Sequence, residues 1–233
     1  PAMGAMLPLT GLFEGGRPDL TAGMEVDQLP EPEPVAFLGE TLTARRMVLL
    51  LDVSGSVKTK MERAGMPMER LREEVLRFVE QLGPDHLFGI IQFTRKWQPF
   101  REALVPATEA IRAEAEQWMQ TAFRTTGTSG RSWNGGYPNG IEAVLAAAFA
   151  MDPQLDEILI VSDGDFQRTP PGGGGQDVTV AELRRLSRRL QQESIGETRI
   201  SLLGFHPPEG LRAALREWTR ENGNGTLRIR DAP

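Results

Sequence analysis

The chain has 233 residues, 39% apolar and 25% charged, with a formal net charge of −6 that disfavours nucleic acid and anionic membranes as partners. A chain of this length buries roughly three quarters of its unfolded surface, enough for one large α/β core or two small ones. It holds no cysteine and only two histidines, His86 and His206, so disulfides and thiolate sites are excluded and a histidine-rich zinc site is disfavoured.

In chain order, residues 1–45 read as an N-terminal extension or arm. Leu29-Pro-Glu-Pro-Glu-Pro34 has alternating prolines that favour an extended polyproline conformation. Leu7, Leu9, Leu12 and Phe13 favour docking of this arm over disorder. The first residues lack a basic region followed by an apolar core, so no signal peptide is expected. No stretch approaches the roughly 18 apolar residues of a membrane span. A cytoplasmic setting is the resulting expectation.

Residues 46–233 read as one domain in which strand and helix signals alternate. Met47-Val-Leu-Leu-Leu51 is continuously apolar and closes on Asp52, as expected of a strand buried on both faces. An amphipathic helix is predicted over 68–82, with Leu71, Val75, Phe78, Val79 and Leu82 on one face. A buried strand follows at 87–93, and 97–105 is predicted to return beside it as an antiparallel edge strand. Thr108 opens a helix over 108–123. A helix rich in small residues spans 140–149. Glu157-Ile-Leu-Ile-Val-Ser-Asp-Gly-Asp165 is a second apolar run closing on an acid. Helices over 180–192 and 209–221 and strands at 198–205 and 226–229 complete the pattern. Such alternation predicts an α/β fold, a mainly parallel sheet with helices on both faces.

Asp52, Ser54 and Ser56 fall on the loop at the carboxyl end of the first strand, where open α/β sheets place ligand crevices. One carboxylate and two alcohols, with no thiol or imidazole, suit a hard cation such as Mg²⁺ or Mn²⁺. Asp163 stands at the end of the second apolar run, as a further ligand or as the cap of an Asp-Gly turn.

The D-x-S-x-S of 52–56 together with Ser162-Asp-Gly164 resembles the von Willebrand factor type A (VWA) family, in its intracellular bacterial form, whose metal-ion-dependent adhesion site opens with that motif. The resemblance implies a Rossmann-like fold with one antiparallel edge strand, and it turns Asp163 toward the metal. It places Asn139, just before the small-residue helix, at a third metal loop. Asn139 is equally a good helix N-cap, and Thr126 and Thr128 are rival donors. The link from Ser56 to Leu71 is several residues longer than the family's usual one. The resemblance further implies a cation completed by an Asp or Glu carboxylate of a protein partner, and an adaptor role beside a MoxR-type AAA+ ATPase.

The chain is therefore expected to be a metal-dependent interaction module and not an enzyme. The alternative is a metal-dependent phosphatase or hydrolase of α/β fold, since a strand-end Asp is a possible nucleophile. Ser54 stands where haloacid-dehalogenase-type phosphatases need a second acid, and no Lys or His is expected beside either strand-end acid. No phosphate-binding glycine motif follows a strand. Trp133 and Tyr137, in a glycine-rich loop, are the expected apolar anchors for a partner. Thr169-Pro-Pro-Gly-Gly-Gly-Gly-Gln176 is a second adaptable loop on the ligand side. Arg184-Arg-Leu-Ser-Arg-Arg189 is read as a solvated helix face.

Overall fold

All seven residues of Arg46–Asp52 are buried. Met47, Leu49 and Leu51 enter one hydrophobic cluster, and Val48 and Leu50 enter another. The alternation is the period of a strand whose two faces are both covered. In this computed structural model the residues described are 31–126, 133, 136 and 138–231.

The elements follow in chain order. A hairpin of β1 (Val35–Phe37) and β2 (Glu40–Leu42) precedes β3 (Arg46–Asp52), α1 (Gly55–Arg63), α2 (Met68–Gln81) and β4 (Leu87–Phe93). Next come β5 (Trp97–Pro99), β6 (Val105–Pro106), α3 (Glu109–Thr121), α4 (Ile141–Met151) and β7 (Glu157–Ser162). The chain closes with β8 (Gln167–Arg168), β9 (Gln176–Asp177), α5 (Val180–Glu193), β10 (Arg199–Phe205), α6 (Glu209–Glu221) and β11 (Leu227–Arg230).

The central sheet has the order β11-β10-β7-β3-β4-β5, with β6 also on β4. Strands β11, β10, β7, β3 and β4 are parallel, while β5 and β6 run antiparallel to β4. Helices α1, α2 and α3 cover one face, and α4, α5 and α6 the other. This is the mainly parallel α/β architecture that the alternating pattern predicts. After β3 the chain moves outward to β4, then returns to place β7 on the other side of β3. Adjacent strands that depart in opposite directions leave a crevice at their carboxyl ends. The ends of β3 and β7 are Asp52 and Ser162.

Three local structures differ from the expected ones. The link after Ser56 is a helix, α1, with Val57 and Met61 buried one turn apart. Gly65 at φ 72° and Pro67 at the N-cap of α2 separate it from the next helix. The expected 97–105 strand is two short pieces, β5 and β6, each carrying a proline that cannot donate to the ladder. The β1–β2 hairpin was read as part of an arm, yet Val35, Phe37, Leu38 and Leu42 are buried in the α1–α3 core. The Phe37 ring stands edge-on to Phe78 of α2 at 5.5 Å, and Arg230 donates to the Leu38 carbonyl at 2.8 Å. The compact unit accordingly begins at Pro32, ahead of the expected boundary at residue 46.

Candidate metal centre

Asp52 ends β3 with both carboxylate oxygens engaged. Oδ1 accepts from the Ser54 backbone N–H at 3.0 Å, and Oδ2 accepts from the Ser162 hydroxyl at 2.7 Å. Ser54 is the N-cap residue of α1, but its hydroxyl caps nothing. It lies 3.2 Å from the Ser56 hydroxyl instead. The motif thus brings two alcohols together beside a buried carboxylate.

Asp163 follows β7 and is almost wholly buried. Its Oδ1 accepts from the Asp165 N–H at 3.1 Å, and its Oδ2 accepts from Lys60 Nζ at 2.9 Å. Burial, and next the nearby Asp163 charge, push the Asp52 carboxyl up to about 6. The same two causes, in that order, raise Asp165. Negative charge is therefore concentrated at the switch point beyond what its hydrogen bonds offset.

A cavity of about 750 Å³ opens here, lined by Asp52, Ser54, Ser56, Asn139, Asp165 and Arg95 among others. Asp163 is not among the lining residues and pairs with Lys60. Among the described residues no three His, Cys, Asp or Glu side chains gather as a metal cluster. The donor set consists of two carboxylates and two hydroxyls.

Asn139 reaches the cavity but is committed elsewhere. Its amide donates to the Thr169 carbonyl at 2.7 Å, and its oxygen accepts from the Thr169 N–H at 2.6 Å. It is not the helix cap, because Gly140 holds that position in α4. Gly140 has φ 67°, and a Cβ there would stand 2.2 Å from the Gln167 carbonyl oxygen, so only glycine fits. Arg168 reinforces the same junction by donating to Glu142 of α4 at 2.9 Å and Glu182 of α5 at 2.7 Å. The Thr179 backbone N–H, then the Arg168 bond and the Thr179 hydroxyl, hold the Glu182 carboxyl down to about 2. The four-glycine loop thus leaves from a base braced by β8, β9, α4 and α5.

Other expected residues are placed as follows. Trp133 is half-buried and packs against the α1–α3 core. Thr126 is exposed and does not line the cavity. Tyr137 and Thr128 lie outside the described residues. Arg184 pairs with Glu217 and Glu221 of α6, and Arg188 with Glu221, so these arginines serve a helix–helix contact. The motifs assign no role to Lys60, Ser162 or Asp165, and contrary to expectation a lysine does stand beside a strand-end acid. Ser162 and Asp165 flank the Asp-Gly signal and were within its reach. Lys60 carried no local signal, because its partner is 103 positions away.

No protein-family model matches the chain. An inter-alpha-trypsin inhibitor heavy chain H1 of Mesocricetus auratus is 27% identical over 135 residues, 55% of this chain and 14% of that relative. The chain therefore corresponds to a small part of that protein. Among solved structures, the von Willebrand factor type A protein from Catenulispora acidiphila aligns with TM-score 0.50 and 21% identity, over 81% of this chain and 39% of that one. The fold is VWA-like. BatB from Bacteroides thetaiotaomicron gives TM-score 0.51 at 14% identity, over 80% of this chain and 90% of its own. The PilB minor pilin from Streptococcus sanguinis gives 0.53 at 13%, over 82% and 59%. At these identities the likeness carries the VWA-like architecture alone. Among the described residues, no helix is long and apolar enough to cross a membrane.

Proposed function

We propose that this VWA-like domain is a protein-interaction module that holds Mg²⁺ or Mn²⁺ through Asp52, Ser54 and Ser56, with Asp163 behind them. The observation that carries the reading is the raised Asp52 carboxyl beside two adjacent, uncapped hydroxyls on one cavity wall. A buried pair of acids needs positive charge, and the all-oxygen donor set suits a hard cation. Such a cation would supply Lewis acidity for a partner's Asp or Glu carboxylate. Asn139, the third metal loop that the resemblance implies, stands at the cavity rim against Thr169, with Trp133 and Tyr137 as anchors for the partner.

The chain's own residues do the rest. Ser162 and the Ser54 N–H orient Asp52, and the rigid ends of β3 and β7 hold the acids in place. A MoxR-type AAA+ ATPase in a cytoplasmic setting is the partner class that the VWA resemblance implies. Calorimetry with Mn²⁺ tests the centre. Wild type should bind, Asp52→Ala should not, and the circular dichroism spectra should agree. An acidic peptide should bind wild type only with the cation, and Ser54→Ala with Ser56→Ala should weaken it as a chelator does. Equal Mn²⁺ affinity in wild type and Asp52→Ala would sink the assignment.

One observation favours the hydrolase reading, namely the ammonium of Lys60 on Asp163. Against it, both Asp52 oxygens are engaged and the residue is buried, a poor posture for a nucleophile. Phosphomonoester turnover that copurifies with the chain and disappears in Asp52→Asn would decide for the hydrolase.

A further inference from the structure

Lys60 is unexplained by the D-x-S-x-S motif. It lies on α1 one turn beyond Ser56, at i and i+4, so the hydroxyl and the ammonium share a helix face. The neighbouring Lys58 turns to Glu62 instead. The Asp163 side chain is 1% exposed, whereas the Lys60 side chain is 25% exposed. Besides Lys60, Asp163 receives the Asp165 backbone N–H, a neutral donor. The ion pair is therefore the main compensation for a buried carboxylate whose charge also reaches Asp52 and Asp165.

We propose that Lys60 is a tethered counter-cation for Asp163 that competes with the divalent ion and sets the cation affinity of the centre. This rests on the reading of the site as a cation centre. In the metal-free domain the ammonium keeps Asp163 from standing as an unpaired buried charge, a costly state. When a divalent ion occupies the Ser54–Ser56 side, ammonium and ion repel one another across the same carboxylate. The flexible four-carbon stem and its partial exposure give the ammonium a route to water. Occupancy then rises only at cation concentrations that displace it, which makes partner binding responsive to the ion supply.

Mn²⁺ calorimetry on the full chain at low ionic strength tests this, with wild type, Lys60→Gln, Lys60→Met and Lys60→Arg. Gln keeps a neutral donor for Asp163 and so preserves folding. Gln and Met should bind Mn²⁺ roughly tenfold more tightly than wild type, with the gap narrowing in salt, while Arg stays near wild type. Without metal, Lys60→Met should melt below wild type, and saturating Mn²⁺ should close that difference. If Lys60→Gln binds Mn²⁺ no better than wild type, or Arg binds as tightly as Gln, the competitor role is overturned while the cation centre stands. If neither wild type nor Lys60→Gln binds Mn²⁺, the cation centre itself fails, and Lys60 with it.

Discussion

At the scale of single residues, Asp52 shows how a binding group can burden the fold that holds it. Its folded-state carboxyl lies at about 6, against an ordinary value of 3.8, because burial and the Asp163 charge disfavour the anion. An acid raised on folding binds its proton more tightly in the native state. Its burden is thus absent below about pH 3.8, grows through the window, and is complete above about pH 6. A shift of this size corresponds to about 3 kcal/mol at most. In chelator at pH 7.5, Asp52→Asn should be more stable than wild type to urea by about 1–2 kcal/mol, and the difference should vanish near pH 4. If the proposed cation centre is correct, Mg²⁺ should stabilise wild type and leave the variant unchanged. A variant less stable than wild type at pH 7.5 would show that the Ser162 and Ser54 hydrogen bonds outweigh the charge burden.

At the scale of elements, the loop over residues 169–175 depends on what grips its base. Arg168 is 9% exposed and bridges two carboxylates on different helices. Replacing it by Met leaves Glu142 and Glu182 without their cation, which should cost about 3 kcal/mol. Hydrogen exchange should then quicken through β8 and β9, while the β3–β7 core keeps its protection. The pH dependence follows from Glu182, whose carboxyl is lowered from 4.5 to about 2. A depressed acid contributes stability that is complete above pH 4.5 and lost as pH falls toward 2. Glu182→Gln should flatten the acid limb of the stability profile in that window. An unchanged limb would place the acid sensitivity in other carboxylates.

For the whole molecule, the hairpin ahead of β3 decides where the folding unit begins. Four buried apolar residues, Val35, Phe37, Leu38 and Leu42, close the α2 side of the core. Each buried side chain of this kind contributes about 1.5–3 kcal/mol as an upper figure. A chain trimmed to residues 46–233 should therefore lose at least about 3 kcal/mol in urea unfolding relative to one beginning at Pro32. It should also expose Phe78 to solvent. Equal midpoints for the two would mark the hairpin as an appendage. The outcome bears on function, because α1 carries Ser56 and Lys60 and shares this core through Val57 and Met61.

The apolar run 47–51 and its twin at 158–161 announced two strands covered on both faces, since only a fully enclosed strand can carry consecutive apolar side chains. The terminal acids Asp52 and Asp163 and the alternating hydroxyls of Ser54 and Ser56 were legible for a related reason: strand ends and turn residues leave local marks. Helix α5 was readable from Leu183, Leu186 and Leu190, and the structure adds the capping box of Thr179 with Glu182 at its start. Other features had no local mark. The Ser162 hydroxyl meets Asp52 across 110 positions, and Lys60 meets Asp163 across 103. Both contacts depend on β3 and β7 lying side by side in the register Leu51↔Val161. Asn139 reads as a ligand or a cap, and only the fold gives the cap to Gly140 and brings Thr169 against Asn139. The three-residue strands of the β1–β2 hairpin are too short for a period to show, and Phe37 is core only because Phe78 comes to meet it. Periodicity and turn chemistry are properties of neighbouring residues, so the sequence by itself determined the layers and the D-x-S-x-S loop at the end of β3. Which charges face one another is a property of strand register, and that only the tertiary structure decided.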